Sequence, residues 1–208
     1  AGGKGYDART NQIREAINNE YPTFMAEQVA EYKRKLEENK VVLDSPTELI
    51  TDFQLMLGFA FSTELKKAYG TTWYNEGVPK SIRDEATINN MNHNIIGTDQ
   101  LMKGCYVINF KDIFNYKNNY DYLEQFVVFE KDTKIKKSER ANWLVKYNEY
   151  RNDFAHGYVK SGMPGYAEAV EYVKKYTDLL TDVFNEYIQK NELEEAWAEY
   201  SSTPISDM

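Results

Sequence analysis

The 208-residue chain has one cysteine, Cys105, and only two histidines, His93 and His156. A single thiol excludes an internal disulfide and most cysteine-based metal sites, and it suits a reducing compartment, so a cytoplasmic location is the expectation. Long apolar runs are missing too. The longest, Leu55 to Phe61, falls far short of the roughly 20 residues a membrane helix needs, so no membrane partner is expected. Basic residues are in deficit, 25 Lys and Arg against 33 Asp and Glu, for a formal charge of −8. That balance argues against a general nucleic-acid coat or a membrane-surface binder but leaves room for a local basic patch. The start, A-G-G-K-G-Y, has neither a methionine nor a signal-peptide pattern. It reads as a scar or a cut inside a larger multidomain parent. No internal repeat and no low-complexity segment is present.

What the chain does hold is aromatic mass, 17 Tyr and 10 Phe, enough for one well-buried domain at this length. Helical periodicity dominates. Residues 10 to 20 and 23 to 39 read as two helices separated by Pro22, an N-terminal extension over residues 1–40 that serves as a linker from a parent protein. Ser45-Pro46-Thr47-Glu48 is a helix start with a capping box. The helix it opens, apolar around much of its circumference and ended by Gly70, is expected to be the most buried one. Thr71 to Lys80 reads as an ordered loop pinned by its aromatics, and a helix carrying Ile82 and Ala86 follows from Ser81. His93 lies in the asparagine-rich stretch after it and is expected to be a surface loop residue without a chemical role. Cys105 to Phe110 fits either a strand or the opening of a helix through Tyr116; the helical reading is adopted. Lys131, Lys134, Lys136, Lys137 and Arg140 crowd into ten positions. They form either a solvated loop or a phosphate-steering patch. A long final helix from Tyr166 ends in an acidic stretch, E-L-E-E-A-W-A-E, expected to fray or to pack elsewhere in a parent chain.

The stretch Trp143 to Gly157 concentrates the chemistry. Trp143, Tyr147, Tyr150 and Phe154 recur at i, i+4, i+7 and i+11, an apolar stripe facing the core, where they serve core or dimer packing. At about 100° per residue, Arg151 falls on the border of that stripe, at roughly 80°, while Asn152 and His156 fall on the far side. Gly157 is suited to a left-handed helix stop. His156 has a purely structural alternative, a histidine favouring the helix C-terminal dipole.

Arginine is always charged and offers a planar fork of donors for phosphate oxygens, while imidazole takes or gives a proton near neutrality. Together they suit phosphodiester chemistry. RNA carries its own nucleophile, the 2′-hydroxyl, so a base and a phosphate-binding cation suffice without a metal; DNA would need an activated water. No carboxylate-plus-histidine metal cluster and no cofactor motif is evident, which favours RNA. On a straight helix Arg151 and His156 diverge by about 140°. They meet one phosphate only if the helix unwinds near Gly157 or a second copy supplies the other half, and a two-fold homodimer is the preferred expectation.

R-N-D-F-A-H, residues 151–156, resembles the R-x4-6-H motif of the HEPN superfamily, with Asn152 at the motif's preferred polar position. The context agrees: Glu139 to Gly157 reads E-R-x-x-W-L-x-x-x-N-x-x-R-N-x-x-A-H-G. Upstream, Tyr69 to Arg83 is similar to the W-W-x-x-G-V-P-x-x-x-R block of a prokaryotic subgroup, with Tyr74 replacing one tryptophan. The resemblance covers roughly residues 45 to 190. It implies an all-α fold, an antiparallel helical bundle of HEPN type over residues 41–208 with extra helices at the N-terminus. It also implies a metal-independent endoribonuclease at a symmetric dimer interface, leaving 2′,3′-cyclic phosphate and 5′-hydroxyl ends, in a toxin, antiviral defence or RNA-processing role. Carried over, Arg151 stabilises the phosphate, Asn152 orients it and His156 is the general acid or base. Apart from the resemblance, the basic density at Lys134, Lys136, Lys137 and Arg140 would steer RNA, with an affinity that the overall acidity keeps weak and salt-sensitive. The alternative is a non-catalytic dimerisation or adaptor module of a larger assembly.

Overall fold

The computed structural model describes residues 45–95, 97–129 and 134–202. The chain divides into residues 1–43 and 44–208, and the fold described is that of the second unit. The two N-terminal helices, the 1–40 extension and Lys131 lie outside the described residues. Within them the fold is all-helical, without a strand. No described helix is long and apolar enough to cross a membrane.

Helix α1, Pro46–Tyr69, is the axis of the unit. It starts at the predicted capping box, with Glu48 Oε2 accepting the Ser45 N–H at 3.0 Å. It stops at Gly70, whose φ of +58° suits a residue without a Cβ. Phe53, Leu57, Ala60, Phe61 and Leu65 are fully buried, as expected for a helix apolar on most sides. Thr71 to Lys80 is not a loop: a 3-10 turn over Gly70–Thr72 leads into a short helix α2, Trp73–Gly77. Trp73 is pinned to the core as predicted. Gly77 lets α2 close on Leu65, and the Gly77 carbonyl accepts from buried Asn119 at 2.7 Å.

Helix α3 spans Lys80–Asn92, starting one residue before Ser81 and continuing through the asparagine-rich stretch; Ile88 is exposed. A 3-10 segment, Thr98–Gly104, and two extended residues lead into α4, Val107–Phe114, so the helical alternative for Cys105 to Phe110 holds from Val107 onward. Helices α5 (Tyr120–Val127), α6 (Trp143–Ala155) and α7 (Tyr166–Asn191) complete the wall around α1.

Aromatic side chains knit α6 to α1 and α7. Phe53 stacks on Tyr147 at 4.2 Å, and Trp143 stacks on Tyr176 at 4.2 Å. Tyr147 is fully buried, and its hydroxyl meets Thr177 Oγ1 at 3.0 Å. Because Thr177 spends its own proton on the Val173 carbonyl, Tyr147 is the donor. Burying a ring of this size stabilises the fold by about 2–3 kcal/mol.

The acidic end of the chain neither frays nor packs elsewhere. The backbone reverses at Glu192, φ +54°, and α8, Glu194–Ser202, folds back onto α1. Trp197 and Tyr200 pack edge-on against Phe59 at 5.5 and 5.4 Å, and apolar burial outweighs the unfavourable dipole.

Candidate active site

The end of α6 is built by its glycine. Gly157 has φ +67°; its N–H donates to the Phe154 carbonyl at 3.1 Å, and the Tyr158 N–H donates to the Asp153 carbonyl at 2.8 Å. These two bonds are the Schellman stop that the glycine predicts. Ala155 is the last helical residue and His156 the cap, at φ −92° and ψ 0°, with its side chain exposed. One turn earlier Arg151 is buried, 9% exposed, and donates to Asn152 Oδ1 at 2.9 Å. Its guanidinium carbon lies 5.5 Å from the centre of the Tyr106 ring. Burial lowers the guanidinium from its ordinary value, with the Tyr106 hydroxyl acting in the opposite direction. It stays charged.

Arg151, Asn152 and His156 all line one cleft of about 510 Å³, together with Asn148 from the same helix. Within one chain they share a cleft, and the helix ends before His156, the unwinding near Gly157 that is one of the two expected routes. A guanidinium on a flexible stem travels away from its Cα, and His156 stands where the helical register has already ended. The border position expected for Arg151 is likewise a buried one.

The cleft also takes Gln54 from α1, Asn89 and His93 from the end of α3, and the segment Gly104 to Tyr106. Hydrogen bonds hold these parts together. Asn89 Nδ2 donates to the Gly104 carbonyl at 2.9 Å, Asn90 Nδ2 to the Leu101 carbonyl at 3.0 Å, and Gln54 Nε2 to the Cys105 carbonyl at 2.7 Å. A Cβ on Gly104 would collide with the Ala86 carbonyl, so only glycine allows α3 to approach this closely. Gln54 is 5% exposed, and its Oε1 has no hydrogen-bond partner among the described residues.

Cationic groups dominate the charge in the cleft. No Asp or Glu is among its described lining residues, whereas Arg151 and Lys103 are, along with both histidines. Lys103 is 2% exposed; its Nζ donates to the Tyr200 carbonyl at 2.5 Å and lies 4.6 Å from that ring's centre. Burial pulls it down to about 8. Burial, reinforced by Glu85, pushes the Cys105 thiol up to about 12, which keeps it protonated and non-nucleophilic near neutrality. Among the described residues no three His, Cys, Asp or Glu side chains gather to hold a metal ion.

The basic cluster is elsewhere. Lys134, Lys136 and Lys137 are exposed and Arg140 half-buried ahead of Trp143, about 20 Å along α6 from His156. None lines the cleft. Lys137 pairs with Asp121 at 3.3 Å, Lys136 lies 4.0 Å from Glu139, and Arg140 donates to the Tyr120 hydroxyl at 2.6 Å. The Tyr69–Arg83 block is also outside the cleft and joins α1 to α3: Val78 is fully buried, Pro79 caps α3 and Arg83 donates to Asn75. Sequence reasoning missed Gln54, Asn89, Tyr106 and Asn148, and left His93 without a role. Gln54 had one signal, a lone amide inside the apolar run F-Q-L-M-L-G-F.

No family model, curated protein or solved structure matches the chain.

Proposed function

We propose that the cleft is the site of a metal-independent endoribonuclease on a helical bundle of HEPN type, acting in a toxin, defence or RNA-processing setting. The observation that carries this reading is the lining itself. A protein of formal charge −8 gathers Arg151, Asn152 and His156 around one cleft whose described lining residues include no carboxylate. Such a lining favours an anion. In this reading Arg151 holds the non-bridging oxygens of the scissile phosphate, and Asn152, which accepts from Arg151, fixes the direction of the guanidinium fork. His156 moves a proton at the attacking 2′-hydroxyl or the departing 5′-oxygen. The cysteine takes no part. Homodimerisation, which the HEPN resemblance implies, would bring two such clefts together and is read by sedimentation velocity.

The test is cleavage of a labelled RNA in the presence of a chelator. His156→Ala, at an exposed position, is expected to keep the melting temperature of the parent and to lose about 10²- to 10⁴-fold in turnover, the range for a lost acid–base group. Undiminished cleavage by that variant, or cleavage by the parent that stops when the chelator is added, overturns the reading. A parent that binds RNA as a stable dimer but never cleaves it replaces the reading with a non-catalytic adaptor.

A further inference from the structure

We propose that His93 is the second acid–base group of this cleft, so that a single chain supplies both imidazoles for the cleavage; the inference rests on the ribonuclease reading. The two histidines of the chain come from different helices and line the same cleft. Each caps the C-terminus of a 13-residue helix, His93 that of α3 and His156 that of α6. Both side chains are exposed. Neither position is loosely held. The His93 N–H donates to the Asn89 carbonyl at 3.2 Å, and the Asn89 and Asn90 side chains tie that turn to the segment beneath it.

Cleavage by the 2′-hydroxyl moves two protons, so it calls for two groups in opposite states. One imidazole accepts the 2′-hydroxyl proton as the O2′–P bond forms. The P–O5′ bond breaks, its electron pair stays on O5′, and the other imidazole, protonated, supplies the proton. The products are a 2′,3′-cyclic phosphate and a 5′-hydroxyl. Proton exchange with water restores both rings, which their exposure permits.

The other groups in the cleft are poorly placed for the second role. The Cys105 thiol is fully buried, Lys103 is directed at the Tyr200 carbonyl, and the Tyr106 hydroxyl donates to Asn89 Oδ1 at 3.4 Å. Arg151 holds a permanent charge. That leaves the His93 imidazole, whose ring offers both a nitrogen that donates and a nitrogen that accepts. With both histidines in one chain, the two proton transfers do not require a partner's cleft.

The experiment uses the full chain, a chelator, and two probes: a short labelled RNA and a uridine 3′-phosphodiester with a p-nitrophenyl leaving group. Its variants are His93→Ala, His93→Asn and His156→Ala. Both His93 variants are expected to lose about 10²- to 10⁴-fold in kcat on RNA with KM little changed, and to lose one limb of the pH–rate profile. Nitrophenolate needs no protonation, so that probe should rescue whichever histidine variant lacks the acid and leave the other impaired. His93 variants within threefold of the parent, beside an inactive His156→Ala, overturn this proposal while the ribonuclease reading stands. A loss that leaves both limbs of the profile intact marks a structural role and also overturns it. A parent that cleaves neither probe fails the ribonuclease reading itself.

Discussion

Arg140 stands just before α6 and Arg151 near its end, and each guanidinium lies against a tyrosine, the Tyr120 ring at 5.9 Å and the Tyr106 ring at 5.5 Å. At the first end the chain supplies its own acceptors. Arg140 donates to the Tyr120 hydroxyl and to the Ile135 carbonyl, and Trp143 Nε1 donates to the Val127 carbonyl at 2.9 Å. At the second end polar groups surround a cleft, both imidazoles are exposed, and buried Gln54 Oε1 has no partner among the described residues. A buried acceptor without a donor is unfavourable by about 1–3 kcal/mol, so a ligand or an ordered water is the natural complement there. Basic density and the cleft therefore part company. The residues that look most like a phosphate patch in sequence lie away from the cleft, where Arg140 and Lys137 meet partners within the chain, and the sparser end lines the cleft.

Substitutions at the two ends should separate them. Beyond the two histidines, the largest expected effect is at Arg151: Arg151→Gln should lower kcat on RNA by roughly 10²- to 10³-fold, as for a lost donor to a developing negative charge. Retained turnover would place the phosphate elsewhere. Next comes Gly104→Ala, whose Cβ would force α3 away from the segment before Cys105. It should destabilise the fold by about 1–3 kcal/mol in urea titration. By moving His93 off the cleft it should also lower turnover by about 10²-fold, the effect of a misplacement of about 1 Å. An unchanged urea midpoint would mean that α3 and the segment are not held in close contact.

A smaller effect is expected from pH. Burial lowers Lys103 to about 8 from an ordinary 10.5. Between those values the unfolded chain holds the extra proton, so this lysine's contribution to stability rises with pH. Cys105, raised by burial to about 12 from 9.0, works in the opposite direction above pH 9. The difference in urea midpoint between the parent and Lys103→Met isolates the lysine. It should grow in the parent's favour from pH 8 to 10, and a flat difference would refute it. The smallest effect is expected at the other end of α6. Arg140→Gln with Lys137→Gln should leave kcat within about twofold and change the slope of log affinity against log salt by less than about one, because neither residue lines the cleft. A large drop in RNA affinity would restore the basic cluster as part of the interface.

The difference between what was legible and what was not follows the range of the forces. Ser45-Pro46-Thr47-Glu48 and Gly157 announced a helix start and a helix stop because capping is settled within four or five residues. The Phe53–Tyr147 stack was foreshadowed by two apolar stripes. Thr71 to Lys80 misled because its Gly and Pro punctuate a helical turn that packing onto Leu65 holds in place. His93 and Gln54 had no local pattern that tied them to His156.

The residues by themselves determined an all-helical fold, a central apolar helix, the stop that frees His156 from α6, and a charge balance poor in basic residues. Only tertiary structure decided that Arg151 is buried, that Arg140 and its neighbouring lysines lie away from the cleft, that α8 folds back onto Phe59, and that His93 shares a cleft with His156. Periodicity and capping are local and repeat along the chain. The cleft comes from distant segments held together by Gly104, Asn89 and Gln54, contacts that exist only once the helices have packed.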